Sequence, residues 1–203
     1  MIVAVSQRVD QVPGRNERRD ALDQRFGAWL LAGGLWPVPV PNALGGTPGS
    51  VEAWLRAVHA AGVVLSGGND LGESPERDET ERRLIAWAQA RSAPLLGVCR
   101  GMQMLGVCAG AQLVPVRNHA GTRHSLTGLP GEVNSFHNFA LAECPPGYSV
   151  VARAMDGGLE AVRHDSLPWE GWMWHPEREQ EFTPADIARL QAVFAKTVTQ
   201  ERP

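Results

Sequence analysis

Residues 93–105 read APLLGVCRGMQML, an apolar run that leads through Cys99 into a helix-prone segment. The run predicts a buried β-strand, and Gly97 and Gly101 flank the turn that follows it. A strand–turn–helix elbow holds its central residue in a sparsely populated backbone region, so its neighbours must be small. The Cys99 sulfur would stand clear of the sheet at the positive end of the next helix, where a thiolate is favoured. We therefore interpret Cys99 as a nucleophile.

The other two cysteines lack this setting. Cys108 lies in a second G-x-C-x-G pattern, but it follows no strand and falls near the expected end of the helix, with Gly110 as the stop signal. We interpret Cys108 as a small core residue. Cys144 precedes two prolines in a loop. Because three cysteines without scaffold-like spacing do not make a disulfide framework, a reducing cytoplasm is the expected location.

Composition excludes several classes of protein. The 203 residues suffice for one core, and we predict a single domain over residues 1–203. A net charge of −3 without a long single-sign block argues against nucleic acid or an anionic membrane as partner. No apolar run approaches the roughly 18 residues of a membrane span, and the N-terminus lacks the basic region of a signal peptide. No group of ligand residues has metal-site spacing, so we predict neither a metal nor a cofactor.

Strand-like and helix-like segments alternate in the first half of the chain. This alternation predicts a mostly parallel sheet with helices on both faces. After residue 110, short extended segments follow one another, and Thr183-Pro184 predicts the start of a closing helix. The predicted strands are 2–5, 35–40, 62–65 and the run before Cys99, then 112–117, 131–141, 148–154, 158–164 and 170–175; the predicted helices are 16–32, 51–61, 77–91 and the one after Cys99.

Two further motifs supply chemistry that a cysteine nucleophile needs. His175 and Glu177 lie in WHPE (residues 174–177) at the end of a late apolar strand, so His175 is a candidate base and Glu177 its orienting acid. Two glycines in SGGND (residues 66–70) follow another strand end, where main-chain N–H groups turn towards the crevice of an open α/β sheet. The N–H groups of Gly68 and Arg100 together would form an oxyanion hole.

The motifs GVCRGMQML (97–105), LSGGND (65–70), VNSFHN (133–138) and WHPE occur in an order that resembles the class I glutamine amidotransferase-like superfamily. More narrowly, the chain is similar to its stand-alone γ-glutamyl hydrolases, the peptidase C26 group. The resemblance implies a flavodoxin-like three-layer α/β/α fold with additional antiparallel strands in the C-terminal half, and a triad of Cys99, His175 and Glu177. The residues that it implies around the substrate are Gly67, Gln103, Asn134, Ser135, Phe136 and His137.

The implied reaction is attack of Cys99 on a γ-glutamyl amide, followed by hydrolysis of a glutamyl thioester to glutamate. One departure concerns the leaving amine: Asn138 and Phe139 stand where many of these hydrolases have His and Gln. Residues 17–27 and the basic stretch 117–124 instead resemble a small subgroup that acts on γ-glutamyl-CDP-amidate. Four residues of that stretch would meet a diphosphate, unless the stretch is only a solvated loop: Arg117, His119, Arg123 and His124.

Other functions stay open at this stage. A glutaminase subunit that delivers ammonia to a separate synthetase would carry the same triad, so the site alone does not distinguish it from a free-standing hydrolase of a small-molecule substrate. A family member without activity would serve as a binding module, although the Cys, His and Glu positions are intact. The sequence also leaves a homodimer open.

Overall fold

A nine-stranded sheet organises the molecule. The computed structural model describes residues 1–195; residues 196–203, which the single-domain prediction includes, lie outside the described part. The helices are α1 (Gln24–Ala32), α2 (Ser50–Ala57), α3 (Pro75–Arg91), α4 (Arg100–Cys108) and α5 (Pro184–Ala195). The strands are β1 (Ile2–Val5), β2 (Arg8–Gln11), β3 (Arg18–Ala21), β4 (Trp36–Pro39), β5 (Gly62–Leu65), β6 (Leu95–Val98), β7 (Leu113–Pro115), β8 (Ala120–Thr127), β9 (Glu132–Phe136), β10 (Phe139–Leu141), β11 (Tyr148–Ala154), β12 (Leu159–His164) and β13 (Trp169–Trp172).

The main sheet has a parallel half and an antiparallel half, in the order β4-β1-β5-β6-β13-β12-β11-β8-β9. The first five strands pair in parallel, and the strands from β12 onward pair antiparallel. This arrangement confirms the predicted α/β class and the antiparallel additions in the C-terminal half. Because β5, β6 and β13 are parallel neighbours, their carboxyl ends open on one edge of the sheet, where such folds bind ligands.

Helices cover both faces of the sheet, as the three-layer prediction requires. Side chains of β1, β5 and β6 alternate between two buried clusters, one on each face. Helices α2, α3 and α4 contribute to one cluster, whereas α1 and α5 contribute to the other. Helix α5 begins at Pro184, as the sequence predicts, and its buried residues include Leu190 and Val193.

The predicted helix over residues 16–32 is wrong in about its first half, residues 16–23. Only its second part is α1, which begins after the N-cap Asp23; the side chain of Asp23 accepts a hydrogen bond from the Arg25 N–H. The preceding residues form an antiparallel hairpin of β2 and β3. The apolar helical spacing starts only at Leu22, whereas Arg18 and Arg19 are exposed on a strand. A charged two-strand ribbon with little buried apolar surface gives no such periodicity.

Two other sequence predictions need correction. Strand β8 was not expected, because residues 120–127 lack the apolar alternation of a half-buried strand. Cys108 is exposed at the end of α4 rather than a core residue, whereas Gly110 does follow the helix with a φ of +96°. Within residues 1–195, no helix combines the length and the apolar character that crossing a membrane would require.

Candidate active site

Cys99 occupies the predicted elbow between β6 and α4. Its φ of +51° and ψ of −106° lie outside the ordinary regions for a residue with a side chain, which costs about 1–3 kcal/mol. The flanking glycines are needed for close packing: a Cβ on Gly97 would lie 2.6 Å from the Gly101 carbonyl carbon, and one on Gly101 would collide with the Leu65 backbone. The predicted backbone conformation at Cys99 is confirmed.

His175 and Glu177 lie at the same edge of the sheet, just beyond β13. The His175 Nδ1 and the Glu177 Oε1 are 2.6 Å apart, and both residues are buried. The main chain of His175 is held on both sides by one side chain: the Asn134 Oδ1 accepts from the His175 N–H at 2.9 Å, and the Asn134 Nδ2 donates to the His175 carbonyl at 2.7 Å. Arg25 of α1 donates to the Glu177 carbonyl at 2.9 Å, so the imidazole has a fixed position.

Cys99 adjoins this pair, since it lines one cavity together with His175 and raises the pKa of that imidazole. Burial lowers the pKa of His175, but the hydrogen bonds and negative charges of Cys99 and Glu177 outweigh it and raise that pKa to about 9. At neutral pH the imidazole is therefore protonated, as expected for a partner of a thiolate. Three side chains from two parallel strand ends thus form one chain of neighbouring groups, in which Glu177 is hydrogen-bonded to His175.

The turn formed by Ser66, Gly67 and Gly68, which we call the glycine turn, lies beside this chain. Arg77, which is fully buried, donates to all three carbonyls of the turn, at 2.8 Å to Ser66 and 3.0 Å to Gly67. In a trans peptide the C=O and the next N–H point in opposite directions. The bond to the Gly67 carbonyl therefore turns the Gly68 N–H away from Arg77. The Gly67 Cα faces His175, since an added Cβ would lie 2.5 Å from its Cε1.

The Arg100 side chain is held against α3. Its guanidinium pairs with Asp78 and Glu81 of α3, and Glu81 also binds the Arg77 Nε at 3.1 Å. Asp78 is buried and also accepts from the Gly72 N–H at 2.9 Å. This buried network fixes the start of α4 against α3. It leaves the Arg100 N–H, in the first turn of α4, without an intrahelical acceptor.

A cavity of about 350 Å³ opens above Cys99, a size typical of small-molecule sites. Arg8 and Arg178 lie on its walls together with Asp70 and Glu73, so both signs of charge are present. Burial and the neighbouring Glu73 charge raise the pKa of Asp70. Sequence reasoning missed Arg8, because the hairpin that carries it was not predicted.

The predicted substrate residues divide into two groups. Gln103, Phe136 and His137 line this cavity, and the Gln103 Nε2 donates to the Phe139 carbonyl at 2.8 Å. Asn134 and Ser135 do not belong to this wall, which corrects the expectation for them. Asn134 binds the main chain of His175, and the Ser135 hydroxyl donates to a carbonyl at 2.5 Å in the interior.

The predicted phosphate-binding stretch does not converge on the cavity. Arg117 is exposed in a loop, and Arg123 pairs with Glu179 at 3.0 Å on the outer face of β8. His119 and His124 turn the other way, and their rings lie 4.2 Å apart in the interior. Strand formation separates neighbouring side chains onto opposite faces, so these four residues do not form one anion site.

Comparison with known proteins agrees with this geometry. Residues 47–195 match the family model described as glutamine amidotransferase class I. The chain belongs to this family. Class I glutamine amidotransferases are enzymes that hydrolyse the side-chain amide of glutamine, so this chain is assigned to that class of enzyme.

The individual relatives carry two different kinds of name, a hydrolase and a subunit of a synthase. The γ-glutamyl-CDP-amidate hydrolase of Campylobacter jejuni is 36% identical over 134 residues, which are 63% of this chain and 67% of that protein. A glutamine-hydrolysing GMP synthase subunit of Methanothrix thermoacetophila is 30% identical over 139 residues, which are 63% of this chain and 73% of that relative. A crystal structure of a Thermoplasma acidophilum protein assigned as a GMP synthase subunit shares the fold, with a TM-score of 0.73 at 22% identity over 97% of this chain and 94% of that one.

Proposed function

We propose that this amidotransferase-family enzyme hydrolyses a γ-glutamyl amide through a thioester on Cys99. The observation that carries the proposal is the chain of neighbouring groups from Cys99 through His175 to Glu177 at the carboxyl edge of parallel strands, in which His175 and Glu177 are hydrogen-bonded. A nucleophile, a base and an orienting acid in such a chain are the parts that acyl transfer needs.

In the proposed reaction, the Cys99 thiolate attacks the δ-carbonyl carbon of the γ-glutamyl group. The Gly68 and Arg100 N–H groups receive the developing oxyanion, at about 3 kcal/mol per donor. The C–N bond breaks as the His175 imidazolium gives its proton to the leaving amine. The neutral imidazole then takes a proton from water, whose oxygen attacks the thioester, and glutamate leaves with Cys99 restored.

The charges of the cavity suit a free γ-glutamyl group, which carries an α-carboxylate and an α-ammonium. We assign the carboxylate to Arg178, whose guanidinium lies 4.7 Å above the Phe136 ring at the cavity wall. We assign the ammonium to the acidic pair Asp70 and Glu73. Paired charges of this kind fix the amide carbon relative to the nucleophile.

For the leaving group we propose a phosphate-bearing amine, such as the nucleotide amidate named for the Campylobacter jejuni relative. Arg8 lies on the wall of the Cys99 cavity and also on that of a neighbouring hollow formed by the β2–β3 hairpin, which includes Arg19. These guanidinium groups would replace residues 117–124 as the phosphate partners. The three free cysteines suit the cytoplasm, which we propose as the compartment.

The first experiment measures glutamate release from glutamine, from a γ-glutamyl amide with an uncharged amine and from γ-glutamyl-CDP-amidate. We expect turnover with the intact protein and none with Cys99→Ser, while the matched thiol control Cys108→Ser keeps full activity. Arg8→Gln should reduce kcat/KM for the nucleotide substrate at least tenfold more than for glutamine. Equal turnover by Cys99→Ser and the intact protein would refute the mechanism.

A second candidate function is glutamine hydrolysis that supplies ammonia to a separate synthetase. The resemblance to the GMP synthase relative from Methanothrix thermoacetophila favours it. The two candidates differ in their preferred substrate and in their dependence on a partner. Strong activity of the isolated chain on a conjugated amide supports the free-standing hydrolase, whereas activity on glutamine that rises only when a synthetase is added supports the ammonia-delivering role.

A further inference from the structure

A buried group of three histidines and one glutamate lies in the antiparallel half of the sheet, and the proposed reaction does not use it. We call His119, His124, His137 and Glu160 the histidine cluster. His119 directly precedes β8 and His124 lies in it, whereas His137 follows β9 and Glu160 lies in β12. His119, His137 and Glu160 are almost completely buried, with side-chain exposures of 2%, 2% and 0%.

Glu160 is the first sign that the cluster binds something. Within residues 1–195 neither of its carboxylate oxygens has a hydrogen-bond partner, although the side chain is fully buried. An isolated buried carboxylate is so costly that such groups are paired, hydrogen-bonded or bound to a metal. The His124 Nε2 is likewise buried without a partner among the described residues.

The outer hydrogen bonds of two histidines determine their tautomers. The His119 Nε2 lies 2.8 Å from the Asp156 carboxylate, and the His137 Nδ1 lies 2.9 Å from the Phe139 carbonyl. An ionised carboxylate and a carbonyl only accept, so these two nitrogens carry the protons. In the neutral rings, the His119 Nδ1 and the His137 Nε2 are therefore left with lone pairs.

These lone pairs point at each other and at Glu160. The His119 Nδ1 and the His137 Nε2 are 3.3 Å apart, and the Glu160 Oε1 lies 3.7 Å from the first and 3.8 Å from the second. Three acceptors around one point repel one another unless a cation lies between them. A tetrahedral ion with bonds of roughly 2.0–2.2 Å separates its ligand atoms by about 3.3–3.5 Å, close to this triangle.

We propose that the histidine cluster binds a transition-metal ion of the zinc class. The ligands are the His119 Nδ1, the His137 Nε2 and the Glu160 carboxylate, with His124 as the fourth. Ligand atoms of His119, His124 and Glu160 all lie within 4.8 Å of one another. Asp156 behind His119 completes the carboxylate–histidine–metal arrangement that orients histidine ligands in known sites.

The spacing of residues in the sequence predicted no metal site. The fold nevertheless brings His119, His124 and Glu160 together as possible ligands, so spacing alone was not a sufficient criterion. His119 and His124 are five residues apart, and an odd spacing places two side chains on opposite faces of a regular strand. The β8–β9 register shifts between Ala120 and Thr122, and such an irregularity inserts one residue and reverses the parity. Both rings can therefore reach Glu160, which comes from a strand that is distant in sequence.

A bound ion would also help to fix the position of two residues that line the cavity above Cys99. The Phe139 carbonyl accepts from both His137 and Gln103, and these two residues line the cavity above Cys99. A metal that holds His137 therefore also fixes the acceptor that positions Gln103. The proposal concerns metal binding alone, and it stands whether or not the proposed hydrolase activity is correct.

The test measures metal binding directly on the full chain. After dialysis against a chelator, the protein is titrated with Zn²⁺ in a calorimeter and with Co²⁺ in a visible spectrometer. We expect one ion per chain and the absorption bands of a tetrahedral Co²⁺ centre. Loss of a residue that only hydrogen-bonds a metal ligand weakens metal binding by roughly 10- to 100-fold. Glu160→Gln and His119→Ala remove ligands themselves, so we expect each to weaken binding by more than that.

The matched control is His59→Ala, since His59 is an exposed histidine outside the cluster, and its binding should equal that of the intact chain. Because a ligand variant can fail to fold, the Tm of the intact protein is also measured with and without Zn²⁺; specific binding raises it. Two results together would overturn the proposal: the intact chain binds no more Zn²⁺ or Co²⁺ per chain than Glu160→Gln does, and Zn²⁺ does not raise its Tm. In that case a proton shared between the rings of His119 and His137, and not a metal ion, would separate the acceptors of the cluster.

Discussion

Replacing Gly67 by alanine tests the placement of the imidazole by changing one methyl group. The added Cβ would lie 2.5 Å from the His175 Cε1 and 3.4 Å from its Nε2. Carbon atoms in contact are about 3.5–4.0 Å apart, so the ring must retreat by roughly 1 Å. A displacement of this size in a catalytic constellation can cost about 100-fold in rate. Since the φ of Gly67 lies outside the left-handed range, alanine meets no backbone penalty there.

The assay is the steady-state rate of glutamate release from a γ-glutamyl amide, with kcat and KM determined separately. Gly67→Ala should lower kcat by about 100-fold, because the substitution moves a proton donor rather than a substrate contact. The control is Gly46→Ala, since a Cβ at Gly46 would meet nothing within 4 Å. If Gly67→Ala keeps more than half of the turnover of the intact protein while Gly46→Ala behaves as expected, the contact with His175 does not position the base.

Three further predictions concern the same machinery. The raised pKa of His175, about 9, predicts that kcat stays level through neutral pH and falls as pH rises through that value. The stabilisation of the fold by this imidazolium is complete below the unfolded pKa of about 6.5 and is lost as pH rises through about 9. In a kcat–pH profile, Glu177→Gln should move this fall in rate to lower pH. Arg77→Lys keeps the charge but cannot hold all three carbonyls of the glycine turn, so kcat should fall about tenfold or more with little change in KM, as measured by initial rates. Asn134→Ala removes both hydrogen bonds from the main chain of His175, and chemical denaturation should show a loss of about 1–3 kcal/mol in the free energy of unfolding.

Local signals sufficed for the parallel half of the fold and for the elbow. An apolar run with a glycine on each side of Cys99 specifies a buried strand and a sharp turn without reference to distant residues. WHPE follows a strand in the same way. Because the carboxyl ends of neighbouring parallel strands lie on one edge, the two motifs could be expected to meet there. The sequence alone did not specify the distances between the three side chains.

The β2–β3 hairpin and strand β8 escaped prediction because their side chains give little hydrophobic pattern. The β2–β3 hairpin and β8 are largely exposed, so polar residues are tolerated on both of their faces. The role of Asp78 depends on Arg100, which is distant in sequence, and no local rule reports such a pairing.

Strand β9 and the residues after it connect the two buried polar sites of the molecule. Asn134 holds the main chain of His175, whereas the next residue, Ser135, binds the His119 carbonyl on the other face. His137 then belongs to the histidine cluster, and its main-chain N–H also donates to the His119 carbonyl at 3.1 Å. A strand that alternates between two sites couples their positions, because its backbone cannot shift for one without shifting for the other. The motif VNSFHN therefore combines support for His175 with one wall of the cavity above Cys99.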